Sequence, residues 1–221
     1  MIFENRQHAG RLLAETLSRM KIKDTIVLGI PRGGVPLAYE VAVRLRCPMD
    51  IIIPRKIGAP FQPELAVGAV TEDGTMYVNK DIVTMLGISE SYLKGEAQNQ
   101  LREIKRRAQL YRKGAEPSEV SNKSAILVDD GVATGATMKA AILSLKKYSP
   151  SKIIIAVPVG VKETIDEFRK QVDEVVCLYI PDSMYAIGEF YRNFEQTTDQ
   201  EVVSFLEMAG RIKDKYIINR H

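Results

Sequence analysis

Residues 125–137 read AILVDDGVATGAT, an apolar strand that ends in two aspartates and continues into a loop of small residues. In a parallel α/β sheet, ligands bind beyond the carboxyl ends of the strands. A small-residue loop that leads into a helix offers backbone N–H groups to a phosphate. Two carboxylates instead accept hydrogen bonds from hydroxyl groups, or hold Mg²⁺ through water. The stretch therefore indicates a ligand that carries both a phosphate and a diol, such as a ribose 5-phosphate.

The rest of the chain alternates between strand and helix patterns. Short apolar or β-branched runs predict strands, and apolar residues at helical spacing predict helices. The expected strands are residues 26–30, 49–53, 125–128, 153–157 and 174–178, and the expected helices are 9–20, 35–45, 137–147 and 162–171. This alternation favours a doubly wound α/β fold, a mainly parallel sheet covered by helices on both faces.

Three segments depart from the alternation. Residues 65–78 centre on Asp73-Gly74, a dipeptide typical of tight hairpin turns, and predict a two-stranded flap. Residues 89–113 predict a long helix with a basic second half, which is interpreted as a solvated face. Residues 181–202 concentrate aromatic side chains and predict a C-terminal cap. The inner stripe of the long helix is expected to be Leu93, Ala97, Leu101, Ile104, Ala108 and Tyr111.

Composition argues against several functional classes. Lys and Arg total 31 against 28 Asp and Glu, and a net charge of +3 is too small for an electrostatic grip on nucleic acid. The two histidines, His8 and His221, leave little material for a His-rich metal site or a catalytic triad. No segment has the pattern of a signal peptide or a membrane span, so a cytoplasmic protein is expected. Cys47 and Cys177 are then expected to be buried free thiols.

The strand, the acidic pair and GVATGAT together resemble the phosphoribosyl pyrophosphate (PRPP) motif of the type I phosphoribosyltransferases. The resemblance implies that Asp129 and Asp130 bind the ribose 2′ and 3′ hydroxyls and that residues 133–137 wrap the 5-phosphate. It also implies Mg²⁺ on the diol and pyrophosphate, held by the two acids through water and PRPP. The implied PRPP-binding set is Asp129, Asp130, Gly131, Val132, Ala133, Thr134, Gly135, Ala136 and Thr137.

The turn GIPRGGVP at residues 29–36 is similar to the pyrophosphate loop of that family, where a strained cis peptide aims backbone N–H groups at the leaving group. The resemblance implies that Arg32 and Gly33 flank this bond, that Arg32 acts in catalysis with the two acids, and that Gly34 and Lys56 also contact pyrophosphate. The residues themselves agree, because adjacent glycines permit unusual dihedrals and a buried arginine would neutralise the departing charge. An ordinary strand-to-helix turn and a surface role for Lys56 are the alternatives.

The acceptor of the phosphoribosyl group is left open. Guanine and hypoxanthine enzymes of the family usually carry a third acid where this chain has Ala133, which weakens a 6-oxopurine assignment. Adenine and uracil enzymes often have alanine there, but the C-terminal cap matches neither group. Candidates for stacking on a base are Tyr185, Phe190 and Tyr191, for which a core role is the alternative. Glu64 is an alternative acid for the acceptor, and an arginine of the basic helix could join a closed state.

The resemblance covers about residues 26–203 and implies a Mg²⁺-dependent transferase of nucleotide salvage. Such an enzyme moves the 5-phosphoribosyl group from PRPP to a nitrogenous base and releases pyrophosphate, and a homodimer is expected. One domain is predicted over residues 1–221, with a core at about 22–180, a flap and helical insert at about 58–122 and a C-terminal hood at about 181–221. The alternative is a regulatory protein that binds PRPP or a nucleotide without transferase activity. A phosphohydrolase is disfavoured, because two adjacent carboxylates alone hold a catalytic metal poorly.

Overall fold

The computed structural model describes the backbone of residues 1–217 and the side chains up to residue 211. Residues 218–221 of the predicted hood, including His221, lie outside this range. The chain divides into two compact units, of which the second comprises residues 52–115 and 135–148 and the first comprises the remainder. The organisation as one domain with a core, an insert and a hood stays a prediction.

The first unit is built on a parallel sheet. Its strands are β1 Thr25–Gly29, β2 Met49–Ile51, β6 Ser124–Val128, β7 Lys152–Val159 and β8 Glu174–Tyr179. They lie in the order β2-β1-β6-β7-β8, and every neighbouring pair is parallel. The central strand β6 is buried along its whole length, as expected for a parallel sheet covered on both faces. The α/β prediction is therefore confirmed.

Helices flank this sheet. They are α1 Arg6–Ser18, α2 Gly34–Leu45, α6 Lys162–Phe168 and α7 Asp199–Ile217, with a short 3-10 helix at Ile187–Phe190. The α1 helix begins where the Asn5 side chain accepts a hydrogen bond from the His8 N–H at 2.9 Å. Its residues Leu13 and Leu17 are fully buried in one core cluster with Leu37 of α2 and Ile126 of β6. The N-terminal helix is thus part of the same core as the sheet.

The second unit contains an antiparallel sheet of three strands, one more than the sequence predicts. Its strands are β3 Arg55–Ala59, β4 Gln62–Val70 and β5 Met76–Val78, in that order, with β4 and β5 forming the predicted hairpin. The missed strand, β3, is short, is flanked by Pro54 and Pro60, and carries Gly58, all of which weaken a strand pattern. Its pairing with β4 shifts register at Gly58, where an added Cβ would lie 2.5 Å from the Pro63 carbonyl oxygen.

The helices of the second unit are α3 Lys80–Met85, α4 Glu90–Arg112 and α5 Ala136–Lys147. The predicted inner stripe of α4 is buried except for the half-buried Leu101. The solvated interpretation of its basic half holds for the exposed Arg102, Lys105 and Arg106. Arg112 differs, because its side chain is only 7% exposed and its Nη1 lies 2.8 Å from Glu72 Oε2.

Two further expectations concern the thiols and the membrane. Cys47 and Cys177 are free thiols, half-buried rather than fully buried. Burial raises the pKa of Cys47 to about 12 and that of Cys177 to about 11. Among the helices that the structure describes, none combines the length and apolar character needed to span a bilayer.

Candidate active site

Two loops of the first unit leave the sheet side by side. Gly29 of β1 pairs with Val128 of β6, and the Ile30 N–H donates to the Val128 carbonyl oxygen at 2.9 Å. The loop after β1 leads into α2, and the loop after β6 begins with the acidic pair. The two sequence motifs therefore meet at the carboxyl edge of the sheet, where α/β proteins bind ligands.

Positions 33 and 34 hold glycine because the two loops lie too close together to leave room for a side chain. An added Cβ at Gly33 would lie 2.6 Å from Asp130 Cγ, and one at Gly34 would lie 2.9 Å from Asp129 Cα. The φ of Gly33 is −62°, an ordinary helical value. The prediction that these glycines serve unusual dihedrals is thus wrong for Gly33, since close contact with the acidic pair is what requires it.

The loop after β1 contains a non-proline cis peptide, between Pro31 and Arg32. The sequence predicts a cis peptide between Arg32 and Gly33, whereas the observed one lies one position earlier in the chain. The Arg32 side chain is 25% exposed, and its Nη1 lies 3.4 Å from Asp199 Oδ1 at the start of α7. Arg32 is therefore half-buried rather than buried.

Asp130 lies against Arg6, the first residue of α1. Its Oδ2 accepts a hydrogen bond from Arg6 Nε at 2.8 Å and lies 2.8 Å from Arg6 Nη2. The two side chains are 12% and 11% exposed, respectively. Burial raises the pKa of the Asp130 carboxyl and outweighs the opposing effect of Arg6. A carboxyl group perturbed by burial and by one specific charge partner is typical of functional sites.

The backbone around the acidic pair is also fixed. The Tyr191 hydroxyl donates to the main-chain oxygen of Asp130 at 2.7 Å, and the half-buried Asp129 accepts the Asp130 N–H through Oδ1 at 2.9 Å. Burial, followed by the charge of Asp130, raises the pKa of Tyr191. The Tyr191 hydroxyl is therefore a donor at neutral pH.

The loop that follows the acids is anchored on β7 and α6. The Val132 N–H donates to the Val159 oxygen at 2.9 Å, and the Thr164 hydroxyl donates to the Ala133 oxygen at 2.6 Å. Position 131 also requires glycine for close packing, because an added Cβ would lie 2.6 Å from Ile187 Cγ2. Ala133 and Thr134 are exposed. The hydrogen bonds thus fix the loop backbone, while Ala133 and Thr134 remain exposed.

The loop then continues along the chain into α5, which belongs to the second unit. Gly135 is the N-cap of this helix, with a φ of 71° that favours glycine, and it supplies no side-chain hydrogen bond to the first turn. Ala136 is buried and Thr137 is half-buried. The first N–H groups of α5 therefore lack a side-chain cap, a condition that suits anion binding at a helix N-terminus.

Comparisons with known proteins agree on one family. A family model described as "Phosphoribosyl transferase domain" matches residues 1–195. The chain belongs to this phosphoribosyl transferase family. Two Mycobacterium tuberculosis proteins, MT0597 and Rv0571c, each named "Putative phosphoribosyl transferase", are 44% identical over 210 residues. That match covers 95% of this chain and 47% of each of those proteins, so the chain spans about half the length of these curated relatives. The solved structure of TT1426 from Thermus thermophilus is 39% identical, with a TM-score of 0.80, and the match covers 93% of this chain and 98% of that one.

The predicted base-stacking residues of this phosphoribosyl transferase domain lie in three different environments. Tyr185 is 91% exposed, and Phe190 is half-buried with its ring centroid 5.8 Å from that of Tyr179. Tyr191 is only 6% exposed, because Phe3 and Phe194 pack on its ring with centroids 5.4 and 4.9 Å away. The prediction for Tyr191 is wrong, since its side chain is buried in the core cluster.

Two predicted residues lie in the second unit. Lys56 is exposed on β3, and Glu64 is exposed on β4. Within the described residues, no group of three or more His, Cys, Asp or Glu side chains could hold a metal ion. Any metal at the acidic pair would therefore need ligands from water or from a bound molecule as well.

Sequence reasoning missed Arg6. This residue contacts Asp130 across 124 positions of the chain, and nothing in the local sequence marks it, since α1 has an ordinary amphipathic pattern.

Proposed function

We propose that this domain binds PRPP with Mg²⁺ and transfers its 5-phosphoribosyl group to a nitrogenous base, releasing pyrophosphate. The observation that supports this most directly is the contact between the two loops. Gly33 and Gly34 pack on Asp129 and Asp130 so closely that neither position could hold a Cβ without displacement. A leaving-group loop and a diol-binding pair must be adjacent if both are to grip one sugar pyrophosphate.

Each part of PRPP would have its own set of groups. Asp129 and Asp130 would accept hydrogen bonds from the 2′ and 3′ hydroxyls, and the loop from Gly131 to Thr137 would bind the 5-phosphate through backbone N–H groups. Arg32, with the N–H groups of Gly33 and Gly34, would stabilise the departing pyrophosphate. Transfer at C1′ passes through an oxocarbenium-like centre, so positioning and charge stabilisation are sufficient and no covalent nucleophile is required.

The acidic pair also suits Mg²⁺. Carboxylate oxygens are preferred ligands of this ion, which usually keeps several waters and binds one or two carboxylates together with substrate phosphates. Asp129 and Asp130 would hold it in this way, with PRPP supplying further oxygens. The ion would neutralise charge on the pyrophosphate as it leaves.

The acceptor would be a purine or pyrimidine base, as in nucleotide salvage. The absence of an acid at Ala133 leaves the base identity open within this class. Tyr185 and Phe190 retain exposed ring surface on which a base could stack. We further propose a cytoplasmic location and a homodimer, and light scattering on the purified chain would check the dimer.

The test combines binding and turnover. Wild-type protein is incubated with PRPP, Mg²⁺ and a panel of bases, and pyrophosphate release is measured. In parallel, calorimetry compares the double variant Asp129→Asn/Asp130→Asn with wild type, and the loss of two charged acceptors should weaken Mg²⁺-PRPP binding by about 100-fold or more. Circular dichroism confirms that the variant is folded, and Asp73→Asn in the second unit serves as a matched control.

The outcomes are distinct. Unchanged affinity in the double variant would remove the diol role of the acids. Tight PRPP binding without pyrophosphate release on any base would favour the regulatory alternative instead.

A further inference from the structure

Arg6 makes three kinds of contact at once. On one side its Nε and Nη2 atoms both lie 2.8 Å from Asp130 Oδ2. On the other side its Nη1 donates to the Glu195 carbonyl oxygen at 2.5 Å, and its Cζ lies 3.9 Å from the centre of the Phe194 ring. The guanidinium is therefore held by the segment before α7 while it binds the acid.

This arrangement leaves Asp130 little freedom. A carboxylate can rotate about its Cβ–Cγ bond, but two Arg6 nitrogens at 2.8 Å from Oδ2 hold that oxygen in place and so restrict the rotation. Gly33 closes the remaining side, since an added Cβ there would lie 2.6 Å from Asp130 Cγ and 3.2 Å from Arg6 Nε. Arg6, Asp130 and the predicted pyrophosphate loop thus form one packed cluster.

Arg6 differs from the next arginine of α1 in its burial and its contacts. The other arginine in the first half of α1, Arg11, is 58% exposed at its side chain and lies 3.5 Å from Glu40. Arg6 is 11% exposed and is directed into the sheet edge. Burying a guanidinium carries a large desolvation cost unless its hydrogen bonds are satisfied, and here each nitrogen has a partner.

We propose that Arg6 is a positioning residue for the ribose diol, fixing the Asp130 carboxylate in the orientation that accepts the 2-hydroxyl of the sugar. The Phe194 ring and the Glu195 carbonyl oxygen fix Arg6 in turn, so the segment before α7 controls how tightly the diol is held. The proposal rests on the proposed PRPP-binding function. It adds a residue that lies outside the PRPP motif and belongs to the N-terminal helix.

A diol-specific readout separates this role from a purely structural one. Calorimetry with Mg²⁺ measures the affinity for ribose 5-phosphate and for 2-deoxyribose 5-phosphate, which lacks one hydroxyl. Because a hydrogen bond to a charged acceptor is involved, wild type should prefer ribose 5-phosphate by about tenfold. General loosening of the site would weaken both ligands by the same factor and leave this ratio unchanged.

The variants are chosen to keep the fold. Arg6→Lys retains the positive charge beside Asp130 but cannot contact Asp130 and Glu195 together, and it should reduce the preference to about threefold or less. Phe194→Leu removes the ring under the guanidinium and should give an intermediate ratio. The matched control is Arg192→Gln, in the same segment, whose side chain is 70% exposed and pairs with Glu4. It should keep the wild-type ratio, and thermal unfolding of each variant confirms that it is folded.

The results discriminate between two failures. An unchanged tenfold preference in Arg6→Lys would overturn the role of Arg6 and leave the proposed function standing. If wild type binds neither sugar phosphate, or binds both equally, the proposed diol site is overturned and the role of Arg6 with it.

Discussion

Two Asp-Gly dipeptides in this chain have opposite surroundings. Asp73-Gly74 forms the β4–β5 turn of the second unit, and Asp130-Gly131 begins the loop after β6 in the first. Asp73 accepts hydrogen bonds from the Thr71 hydroxyl at 2.7 Å and the Thr75 hydroxyl at 2.6 Å, both from its own turn. Asp130 depends instead on Arg6, from a distant helix.

The two acids titrate in opposite directions as a result. Burial alone would raise the pKa of Asp73, but the hydrogen bonds from Thr71, Thr75 and Lys147 outweigh it and lower the pKa to about 2. At Asp130, burial outweighs Arg6 and the pKa is raised. An acid that accepts several hydrogen bonds, from its own turn and from the neighbouring helix α5, stabilises structure, whereas an acid buried beside a single charge partner marks a candidate site.

The largest effect is expected where the first unit is most crowded. Gly34→Ala would force a Cβ against the Val128 carbonyl oxygen and to 2.9 Å from Asp129 Cα. Both are backbone atoms, which cannot rotate away, so the free energy of unfolding should fall by about 3 kcal/mol. Urea denaturation measures this change.

A second glycine provides the control. Gly95 lies in the interior of α4, and an added Cβ there would meet nothing within 4 Å. Gly95→Ala should therefore raise the free energy of unfolding by about 0.5–1 kcal/mol, because alanine restricts the unfolded chain and favours the helix. Equal effects of the two substitutions would contradict the assignment of crowding to Gly34.

Sequence reasoning succeeded where the pattern is local. The five parallel strands follow from short apolar runs, and the β4–β5 hairpin follows from Asp73-Gly74. Strand β3 was missed because a charged, Gly-containing run between two prolines has no local strand pattern and gains its partner only through β4. Local pattern thus predicts elements better than pairings.

The candidate site shows the same limit. The acidic pair and the glycine turn were recognisable as motifs, but the reason for Gly33 was not, since it depends on how close two separate loops lie. Arg6 and the burial of Tyr191 are likewise tertiary facts, because Arg6 contacts Asp130 across 124 positions of the chain and the Tyr191 ring packs on Phe3 of the N-terminal segment. No periodicity or spacing in a single sequence encodes such contacts.

A smaller effect is expected when the acid of the hairpin turn is neutralised. Asp73→Asn removes the charged acceptor shared by Thr71, Thr75, Ser144 and Lys147, and should lower the free energy of unfolding by about 2 kcal/mol at neutral pH. PRPP affinity should not change, in contrast to substitutions at Asp130. Urea denaturation and calorimetry measure the two quantities.

The same variant gives a pH test with a defined sign. The folded pKa of about 2 lies below the reference value of 3.8, so the charge of Asp73 contributes stability above that value, and this contribution is lost as the pH falls through about 2. The difference between wild type and Asp73→Asn should therefore shrink across this window. The control is Asp182→Asn, a substitution of an exposed aspartate. A difference that stays constant from pH 5 to 2 would show that Asp73 acts through shape rather than charge.

The smallest effect concerns the glycines of the two dipeptides. Gly74 has a φ of 78° and open space around it, so Gly74→Ala should cost about 1 kcal/mol through backbone conformation alone. Gly74→Asn should cost less, because asparagine tolerates this conformation better than alanine. At Gly131 the constraint is Ile187, so the order should reverse and asparagine, being larger, should cost more than alanine. Urea denaturation of the four variants measures these differences in the free energy of unfolding. If asparagine is less destabilising than alanine at both positions, backbone conformation rather than space constrains Gly131.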